Sequence, residues 1–306
     1  MIVVLTGASG FLGKALSARL AAEGHSLRVL SRNPRATAAR LPSGAPVFAW
    51  PAAGPFPDAA LEGADAVVHL AGENIGQWPW TSARKRRILD SRVQGTRDLV
   101  EAMGRAARKP AVFVAASGMG YYGDGGEALM EETAPPGRGF LAEVCVAWER
   151  EIFRAEEHGV RTVAVRNGLV LGRGGALEKL LPAFRLGAGA VLGSGRQWWS
   201  WIHVEDTAGI FAHALKTPKM RGAVNGASPD PVRQAEFARV LAAAVHRPLL
   251  LKAPAFVLRV ALGEMAGTLL EGQKTDGKKL AGMEYAFRYP RIGLALGNIT
   301  AGGSHG

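Results

Sequence analysis

The sequence contains a single cysteine, Cys145, among 306 residues. One thiol cannot form an intrachain disulfide, which excludes a disulfide-stabilised secreted scaffold and a cysteine-rich zinc module. No run of about eighteen uncharged apolar residues occurs, and no basic leader precedes an apolar segment at the N-terminus. We therefore expect a protein that is neither exported nor membrane-spanning, with the cytoplasm as its default compartment.

Acidic residues are also scarce relative to basic ones. The 26 Asp and Glu residues against 37 Lys and Arg give a formal net charge of +11. This charge would suit nucleic acid, but an anionic cofactor and an anionic substrate require the same sign. The densest basic run, 84–87, has a helical pattern and is interpreted as a solvated helix face, with phosphate contact as the alternative. Nucleic-acid binding is the weaker hypothesis, because no element interleaves arginines with stacking aromatic residues.

The first thirteen residues carry the strongest local signal. An apolar run from Ile2 to Leu5 predicts a buried parallel strand, and glycines then recur every three residues into a helix predicted over 11–23. A backbone that turns sharply and approaches a pyrophosphate leaves no space for Cβ atoms, while the helix N-terminus offers free N–H groups. The predicted dinucleotide contacts in this segment are Gly7, Ser9, Gly10, Phe11 and Leu12.

The end of the second strand, predicted over 26–30, indicates which dinucleotide is bound. An acidic residue there would bind both ribose hydroxyls and repel a phosphate, but the chain reads Ser31-Arg32-Asn33-Pro34-Arg35. We interpret Ser31 and Arg32 as a pocket for the 2′-phosphate of NADP(H). The alternative for Arg32 is a solvated loop cation.

Strands and helices continue to alternate up to residue 172. Further strands are predicted over 47–50, 66–70, 111–115 and 162–165, with helices over 81–103 and 140–158. This alternation predicts an α/β fold with a parallel sheet between two layers of helices. Small residues after the fourth strand allow the loop to lie against the cofactor, so Ala71, Gly72 and Glu73 are candidate contacts. Glu73 has loop surface as its alternative.

The regular alternation of predicted strands and helices ends after Gly172. We divide the chain into an NADP-binding domain over 1–172, to which 200–230 returns, and a smaller C-terminal part formed by 173–199 and 231–300. Residues 301–306 are predicted to be a flexible tail.

Several motifs stand in the order typical of the extended short-chain dehydrogenase/reductase superfamily. They are Thr6-Gly-Ala-Ser-Gly-Phe-Leu-Gly13, Leu70-Ala-Gly72, Val93-Gln-Gly-Thr96, Ser117 with Tyr122-Gly123, Arg166 with Val170-Leu-Gly172, and Ile202-His-Val-Glu-Asp206. Other segments resemble an atypical, nucleoside-diphosphate-sugar epimerase-like branch of the NAD-dependent epimerase/dehydratase family, which has a C-terminal domain of unknown function. They include Leu70-Ala-Gly-Glu-Asn-Ile75, Asp90-Ser-Arg92, Phe140-Leu-Ala-Glu-Val-Cys145 and Gly193-Ser-Gly-Arg-Gln-Trp198. The resemblance implies an NADP(H)-binding domain of the Rossmann type, with a doubly wound parallel sheet, and it implies that the smaller C-terminal part is a substrate lobe. It adds to the cofactor contacts Ala116, Arg166, Gly168 and Leu169.

The superfamily's usual catalytic pair is a Tyr and a Lys four residues apart on one helix face. The Lys holds the ribose and lowers the pKa of the Tyr, which passes a proton to or from the substrate. In the matching helix this chain reads Phe140-Leu-Ala-Glu-Val144, and none of its four tyrosines is followed by Lys at that spacing. We therefore predict that Ser117 orients the substrate and that Tyr122 or a bound water supplies the proton. For Tyr122, simple packing is the alternative.

The substrate side departs from the superfamily as well. Where many sugar-nucleotide enzymes place an Arg against the diphosphate, this chain has Trp199, although Arg185 and Arg196 are near in sequence. The three tryptophans 198, 199 and 201 are interpreted either as walls of an apolar or aromatic substrate pocket or as packing at the lobe interface. No metal site is expected, because no ligand stands at the required spacing from His203, which is interpreted as a structural histidine near Asp206.

These observations predict an NADP(H)-dependent oxidoreductase or epimerase-like enzyme. Its substrate would be a small molecule with a carbonyl or hydroxyl group, or one resembling a sugar nucleotide, and the basic composition is compatible with a negative charge on it. The alternative is a non-catalytic regulatory protein that binds NADP(H). The sequence does not indicate an oligomeric state.

Overall fold

A computed structural model describes residues 1–41, 44–50 and 54–301. In chain order the strands are β1 (Ile2–Thr6), β2 (Ser26–Ser31), β3 (Val47–Ala49), β4 (Ala66–His69), β5 (Val112–Gly118), β6 (Arg161–Asn167), β7 (Leu169–Leu171), β8 (Ala190–Leu192), β9 (Trp198–Trp199), β10 (Trp201–His203), β11 (Gly222–Gly226), β12 (Val232–Arg233) and β13 (Leu251–Ala253). All of the predicted tail except Ala301 lies outside the described residues.

The α-helices are α1 (Phe11–Ala22), α2 (Pro34–Ala38), α3 (Ser82–Arg105), α4 (Phe140–Phe153), α5 (Gly175–Arg185), α6 (Val204–Lys216), α7 (Gln234–Ala244), α8 (Ala255–Leu262), α9 (Gly267–Leu270), α10 (Lys278–Gly282) and α11 (Ile292–Ala301). Short 3-10 helices lie at Asp58–Ala60, Met119–Tyr122, Arg154–His158 and Gly263–Ala266. Within the described residues, no helix is both long enough and apolar enough to cross a membrane.

Seven strands form one parallel sheet in the order β11-β6-β5-β4-β1-β2-β3. The chain builds the sheet outward from β1 in one direction and then from β4 in the other, so the topology reverses between these two strands. Ligands of such sheets bind in the crevice at the carboxyl ends of the strands at this reversal. The predicted α/β class, a Rossmann-type doubly wound parallel sheet, is confirmed.

The sheet has an apolar core on each face because its central strands are buried on both sides. In β1, Val3 and Leu5 face the cluster formed with α1 and α6, whereas Val4 faces the cluster formed with α3 and α4. A third core lies in the C-terminal part of the chain, where α5, α7 and α11 pack around Trp199 and Trp201.

The main differences from the predicted elements lie next to the site. The strand predicted over 111–115 extends as β5 to Gly118, so Ser117 belongs to the strand and not to the loop after it. The helix predicted over 140–158 is α-helical only to Phe153 and continues as a 3-10 helix to His158. Strand β11, at the sheet edge beside β6, was not predicted.

Candidate functional site

The glycine turn between β1 and α1 fits tightly against the neighbouring backbone. Gly7 has a φ of 72°, and a Cβ atom there would lie 2.8 Å from the carbonyl carbon of Leu70. A Cβ atom on Gly13 would lie 2.1 Å from the carbonyl oxygen of Gly7. Only glycine satisfies both positions, which allows α1 to start directly on the turn and to point its N-terminus at the crevice.

The first turn of α1 leaves its backbone N–H groups available to a ligand. No side chain caps the helix at Gly10, and the first N–H groups of any α-helix have no partner within the helix. Phe11 and Leu12 belong to this turn, and Ser9 precedes it. The ring of Phe11 instead packs against a glycine-rich segment, where a Cβ atom on Gly172 or Gly174 would approach it within 2.7 or 2.8 Å. Phe11 therefore offers the crevice its backbone, and this arrangement suits a pyrophosphate.

Thr6 and His69 connect this turn to the end of β4. The Thr6 hydroxyl accepts the N–H groups of Leu70 and Ala71, each at 3.1 Å, and lies 2.8 Å from His69 Nδ1. Because both N–H groups donate to it, the hydroxyl donates its own proton to Nδ1, and the neutral ring carries its proton on Nε2. Burial, with a further contribution from the charge of Arg92, lowers the pKa of His69 to about 3. His69 is thus a neutral structural link that holds the loop against Gly7.

At the end of β2, Ser31 is held by local hydrogen bonds while the side chain of Arg32 is exposed. The Ser31 hydroxyl lies 2.7 Å from Thr37 Oγ1 and accepts the N–H of Asn33 at 3.1 Å. Asn33 in turn caps α2 by accepting the N–H of Ala36. The Arg32 side chain is exposed, and no carboxylate in the described part of the chain forms an ion pair with it. An unpaired guanidinium at this position fits a phosphate group.

The loop after β4 contains Ala71, Gly72 and Glu73. The Glu73 N–H donates to Ser91 Oγ at 3.0 Å, and its carboxylate lies 3.4 Å from Arg84 Nη2. Its carbonyl oxygen accepts a hydrogen bond from Arg92 Nη1 at 3.0 Å. The loop is therefore held from α3, and its glycine lies at the open side of the crevice.

Beyond the loop, a buried polar network joins Ser117 and Tyr122. The Ser117 hydroxyl donates to Glu149 Oε1 at 2.7 Å, and Arg166 binds both carboxylate oxygens of Glu149 at 2.8 Å. Arg166 Nη1 donates to the Tyr122 hydroxyl at 2.8 Å, and this hydroxyl donates to Asn225 Oδ1 at 2.7 Å. All five side chains are at most 5% exposed. The sequence did not indicate this network, because its members come from distant parts of the chain.

The network restricts what its members can do. Burial opposes the charge of Arg166, but the bonds to Glu149 outweigh it and raise the pKa of Arg166, so the residue stays cationic. The pKa of Tyr122 is raised by burial. Its hydroxyl would have to leave Asn225 before it could protonate a substrate. The catalytic roles of Ser117 and Tyr122, and the cofactor contact of Arg166, stay predictions.

Two further predicted contacts, Gly168 and Leu169, pack against the link between β9 and β10. A Cβ atom on Gly168 would lie 2.6 Å from the carbonyl oxygen of Ser200, and the Leu169 N–H donates to the same oxygen at 2.8 Å. Ala116 lies in β5, one residue before Ser117. These residues and the glycine turn lie along the carboxyl edge of neighbouring strands of the sheet.

The face of α4 toward the end of β5 carries neither Tyr nor Lys. A Cβ atom on Gly120 would lie 3.0 Å from Leu141 Cβ, and Cys145 Sγ would lie 3.8 Å from a Cβ atom on Gly118 or Gly120. Burial raises the pKa of the Cys145 thiol to about 11. The residues four apart on this face are thus an aliphatic side chain and a neutral thiol.

The three tryptophans divide between core and surface. Trp199 and Trp201 pack in the third core, 7% and 0% exposed. Trp198 is half-buried, with the Arg233 guanidinium 3.8 Å from its ring centre. Arg233 also binds Glu127 with two hydrogen bonds, joining the segment after β5 to the C-terminal part of the chain. The side chains of Arg185 and Arg196 are exposed.

His203 lies at the N-terminus of α6. Its Nδ1 accepts the N–H of Glu205 at 3.2 Å, and its ring stacks on Tyr289 with the centres 4.0 Å apart. Asp206 accepts the N–H groups of Arg288 and Tyr289 and fixes that segment. In the described ranges no group of three or more His, Cys, Asp or Glu side chains is placed to hold a metal ion.

The chain matches two protein-family models and several known proteins. Residues 3–225 match the model of the NAD dependent epimerase/dehydratase family, and residues 253–299 match a domain of unknown function, DUF1731. The chain is 39% identical over 302 residues to epimerase family protein Mb2239 of Mycobacterium bovis, covering 98% of this chain and 97% of the relative. It is 37% identical over 309 residues to the chloroplastic SDR39U1 homolog of Arabidopsis thaliana, covering 97% and 86%. The crystal structure of human epimerase family protein SDR39U1 (isoform 2) with NADPH is similar, with a TM-score of 0.87 at 34% identity over 98% of this chain and 99% of that chain.

Proposed function

Since the chain belongs to the NAD dependent epimerase/dehydratase family, we propose that it binds NADP(H) at the carboxyl edge of its sheet and uses it in an oxidoreductase or epimerase-like reaction. The family and the C-terminal domain predicted from the motifs are confirmed. The similar human protein was crystallised with NADPH, and this supports the same dinucleotide for this chain.

The exposed guanidinium of Arg32 is the observation that supports binding of NADP(H) over NAD(H). A dinucleotide on the N–H groups of the first turn of α1 places its adenosine ribose near the end of the adjacent strand β2. Arg32 stands there without a carboxylate partner among the described residues, and the neighbouring hydroxyl belongs to Ser31. A 2′-phosphate would neutralise the charge of Arg32, whereas a ribose without this phosphate would leave the guanidinium without an anionic partner.

On the nicotinamide side, the cofactor supplies the hydride chemistry and the protein positions the reactants. Ala71, Gly72 and Ala116 are proposed to line this end, with Ser117 as the candidate for orienting a substrate oxygen. Its hydroxyl proton is donated to Glu149, so Ser117 can accept a hydrogen bond from a substrate hydroxyl without breaking the network.

The substrate is proposed to bind between this edge and the C-terminal lobe. The contacts of Glu127 and Asp124 attach the segment after β5 to that lobe, since Asp124 Oδ1 accepts the N–H of Gly272 at 3.2 Å. Arg233 is already paired with Glu127 at this junction, whereas Lys274, 4.6 Å from the Trp198 ring centre, forms no ion pair within the described residues and is the cation that suits a small anionic substrate. We propose the cytoplasm as the compartment, although the Arabidopsis relative is named as chloroplastic.

A non-catalytic NADP(H)-binding regulator is the second candidate. The face of α4 toward the end of β5 carries Leu141 and Cys145, one residue after the positions Phe140 and Val144 that the sequence indicated, and neither pair contains a Tyr or a Lys. Tyr122 is fully engaged in the buried network. The chain could therefore bind the nucleotide without catalysing a reaction, since the usual catalytic Tyr and Lys are already absent.

Calorimetry with Arg32→Ser tests the cofactor proposal. The variant should bind NADPH about ten- to a hundredfold more weakly, because a charge-assisted hydrogen bond to phosphate is lost, and NADH with nearly unchanged affinity. Arg35→Ser is the matched control, since this exposed arginine lies three residues further along. Preference of the unaltered protein for NADH, or binding of neither dinucleotide, would contradict the proposal.

Transfer of deuterium from labelled NADPH distinguishes the two candidates. Incubation with a panel of small aldehydes, ketones and nucleotide sugars should yield labelled product if the protein is an enzyme. Tight NADPH binding without label transfer to any compound would support the regulator.

A further inference from the structure

Arg92 extends from α3 to the loop that follows β4, at the carboxyl edge of the sheet. Its guanidinium carbon would lie 3.1 Å from a Cβ atom on Gly72, so it touches the exposed glycine of the β4 loop. Nη1 donates to the carbonyl oxygens of Glu73 and Ile88 at 3.0 and 3.1 Å, and the guanidinium lies 5.0 Å from the Trp148 ring centre. These contacts hold the group in one orientation.

The charge of Arg92 is only partly compensated by the protein. In the described part of the chain, Nε and Nη2 donate no hydrogen bond and no carboxylate forms an ion pair with the residue. The carboxylate of Glu73 is ion-paired with Arg84, so two guanidinium groups share one negative charge. Burial lowers the pKa of Arg92, but an arginine remains protonated at any physiological pH. A partly buried cation with unused donors favours binding of a ligand with acceptor oxygens.

Arg92 also lies near the helix face that lacks the usual lysine. Cys145 borders the end of β5, and the charge of Arg92 acts on its thiol against the larger effect of burial. The guanidinium of Arg92, which comes from α3, therefore lies near the position where the superfamily places a lysine on α4.

We propose that Arg92 is the nicotinamide-side cation of this protein: its guanidinium binds the ribose hydroxyls next to nicotinamide, in place of the superfamily's lysine. This inference rests on the proposed NADP(H) site. It has an electrostatic consequence, because the oxidised nicotinamide ring is positively charged and the reduced ring is neutral. A neighbouring cation therefore favours NADPH over NADP⁺.

The test measures binding of three ligands by calorimetry: NADPH, NADP⁺ and 2′,5′-ADP, which lacks the nicotinamide mononucleotide half of the cofactor. Arg92→Leu removes the cation, and Arg92→Lys keeps a charge but loses the planar fork. Arg86→Leu is the matched control, because it removes an exposed charge from the same helix.

Arg92→Leu should weaken NADPH binding about tenfold or more while leaving the affinity for 2′,5′-ADP unchanged. It should also reduce the ratio of NADPH to NADP⁺ affinity, which Arg92→Lys should retain. If the leucine variant does not fold, Arg92→Lys decides the matter: it should weaken NADPH about three- to tenfold and 2′,5′-ADP not at all.

Equal loss of NADPH and 2′,5′-ADP affinity in these variants would overturn the inference, since it would indicate a general disturbance of the cleft. Unchanged NADPH binding, or the same loss in Arg86→Leu, would overturn it as well. Failure of the unaltered protein to bind any of the three ligands would instead refute the NADP(H) site itself, so the two failures are distinguishable.

Discussion

Acidification should destabilise the protein through His69, whose surroundings admit only the neutral ring. The side chain is fully buried, its Nδ1 accepts the Thr6 hydroxyl, and its Nε2 has no hydrogen-bond partner. The rings of Trp50 and Trp148 lie 6.2 and 6.5 Å away between centres. Protonation would remove the acceptor at Nδ1 and add a charge near Arg92.

The magnitude follows from the two pKa values of this histidine. Its pKa is about 3 in the folded protein against 6.5 for an unperturbed histidine. Between these values the unfolded chain binds the proton and the folded chain does not, so the free energy of unfolding falls as the pH falls. Relative to about pH 7.5, the loss at about pH 5 is about 2 kcal/mol, from 1.5 units at about 1.4 kcal/mol each.

Urea unfolding at these two pH values, followed by circular dichroism, measures the effect. His69→Asn keeps an acceptor for Thr6 but cannot titrate, so its stability should fall about 2 kcal/mol less than that of the unaltered protein. His246→Asn is the control and should keep the full loss. Other groups, including His25 and His203 with lowered pKa values, contribute equally to all three proteins. An equal loss in His69→Asn and the unaltered protein would refute the reasoning.

Three further predictions concern the turn and the buried network. Gly13→Ala, which places a methyl group against the Gly7 carbonyl, should cost about 3 kcal/mol in urea unfolding and weaken NADPH binding in calorimetry. Glu149→Gln should cost about 3–5 kcal/mol, because it leaves Arg166 buried without its carboxylate; a smaller loss than that of an exposed ion-pair variant would contradict this. Tyr122→Phe should cost about 1–2 kcal/mol with unchanged NADPH affinity, and a large loss of affinity would place the phenol at the cofactor.

The parts of the fold that the sequence predicted are those with local signals. Buried parallel strands appear as short apolar runs, and those over 2–5, 66–70 and 111–115 correspond to β1, β4 and β5. Strand β11 reads Gly-Ala-Val-Asn-Gly, in which only Val224 has a strong strand preference. It is a strand because its backbone pairs with β6, and that pairing depends on the rest of the sheet.

The same distinction applies to the site. The glycine turn was predictable because its steric constraint acts within thirteen residues. The hydrogen bond from Ser117 to Glu149 spans 32 positions, and that from Tyr122 to Asn225 spans 103. Arg92 belongs to Asp90-Ser-Arg92, one of the segments that carry the family resemblance, but the sequence assigned it no contact with the cofactor. Only the fold shows that its side chain turns to the crevice.

The partner of each arginine determines where an anion can bind. Arg166 is surrounded by Glu149 and two tyrosines, so its charge is already used within the protein. In the basic run on α3, Arg84 and Lys85 are ion-paired with carboxylates, which reduces the charge that this helix presents to solvent. Both charges are therefore compensated within the protein. The uncompensated guanidinium of Arg32 and the partly compensated one of Arg92 lie instead at two places along one sheet edge. One dinucleotide with a terminal phosphate, stretched across the glycine turn between them, would satisfy both.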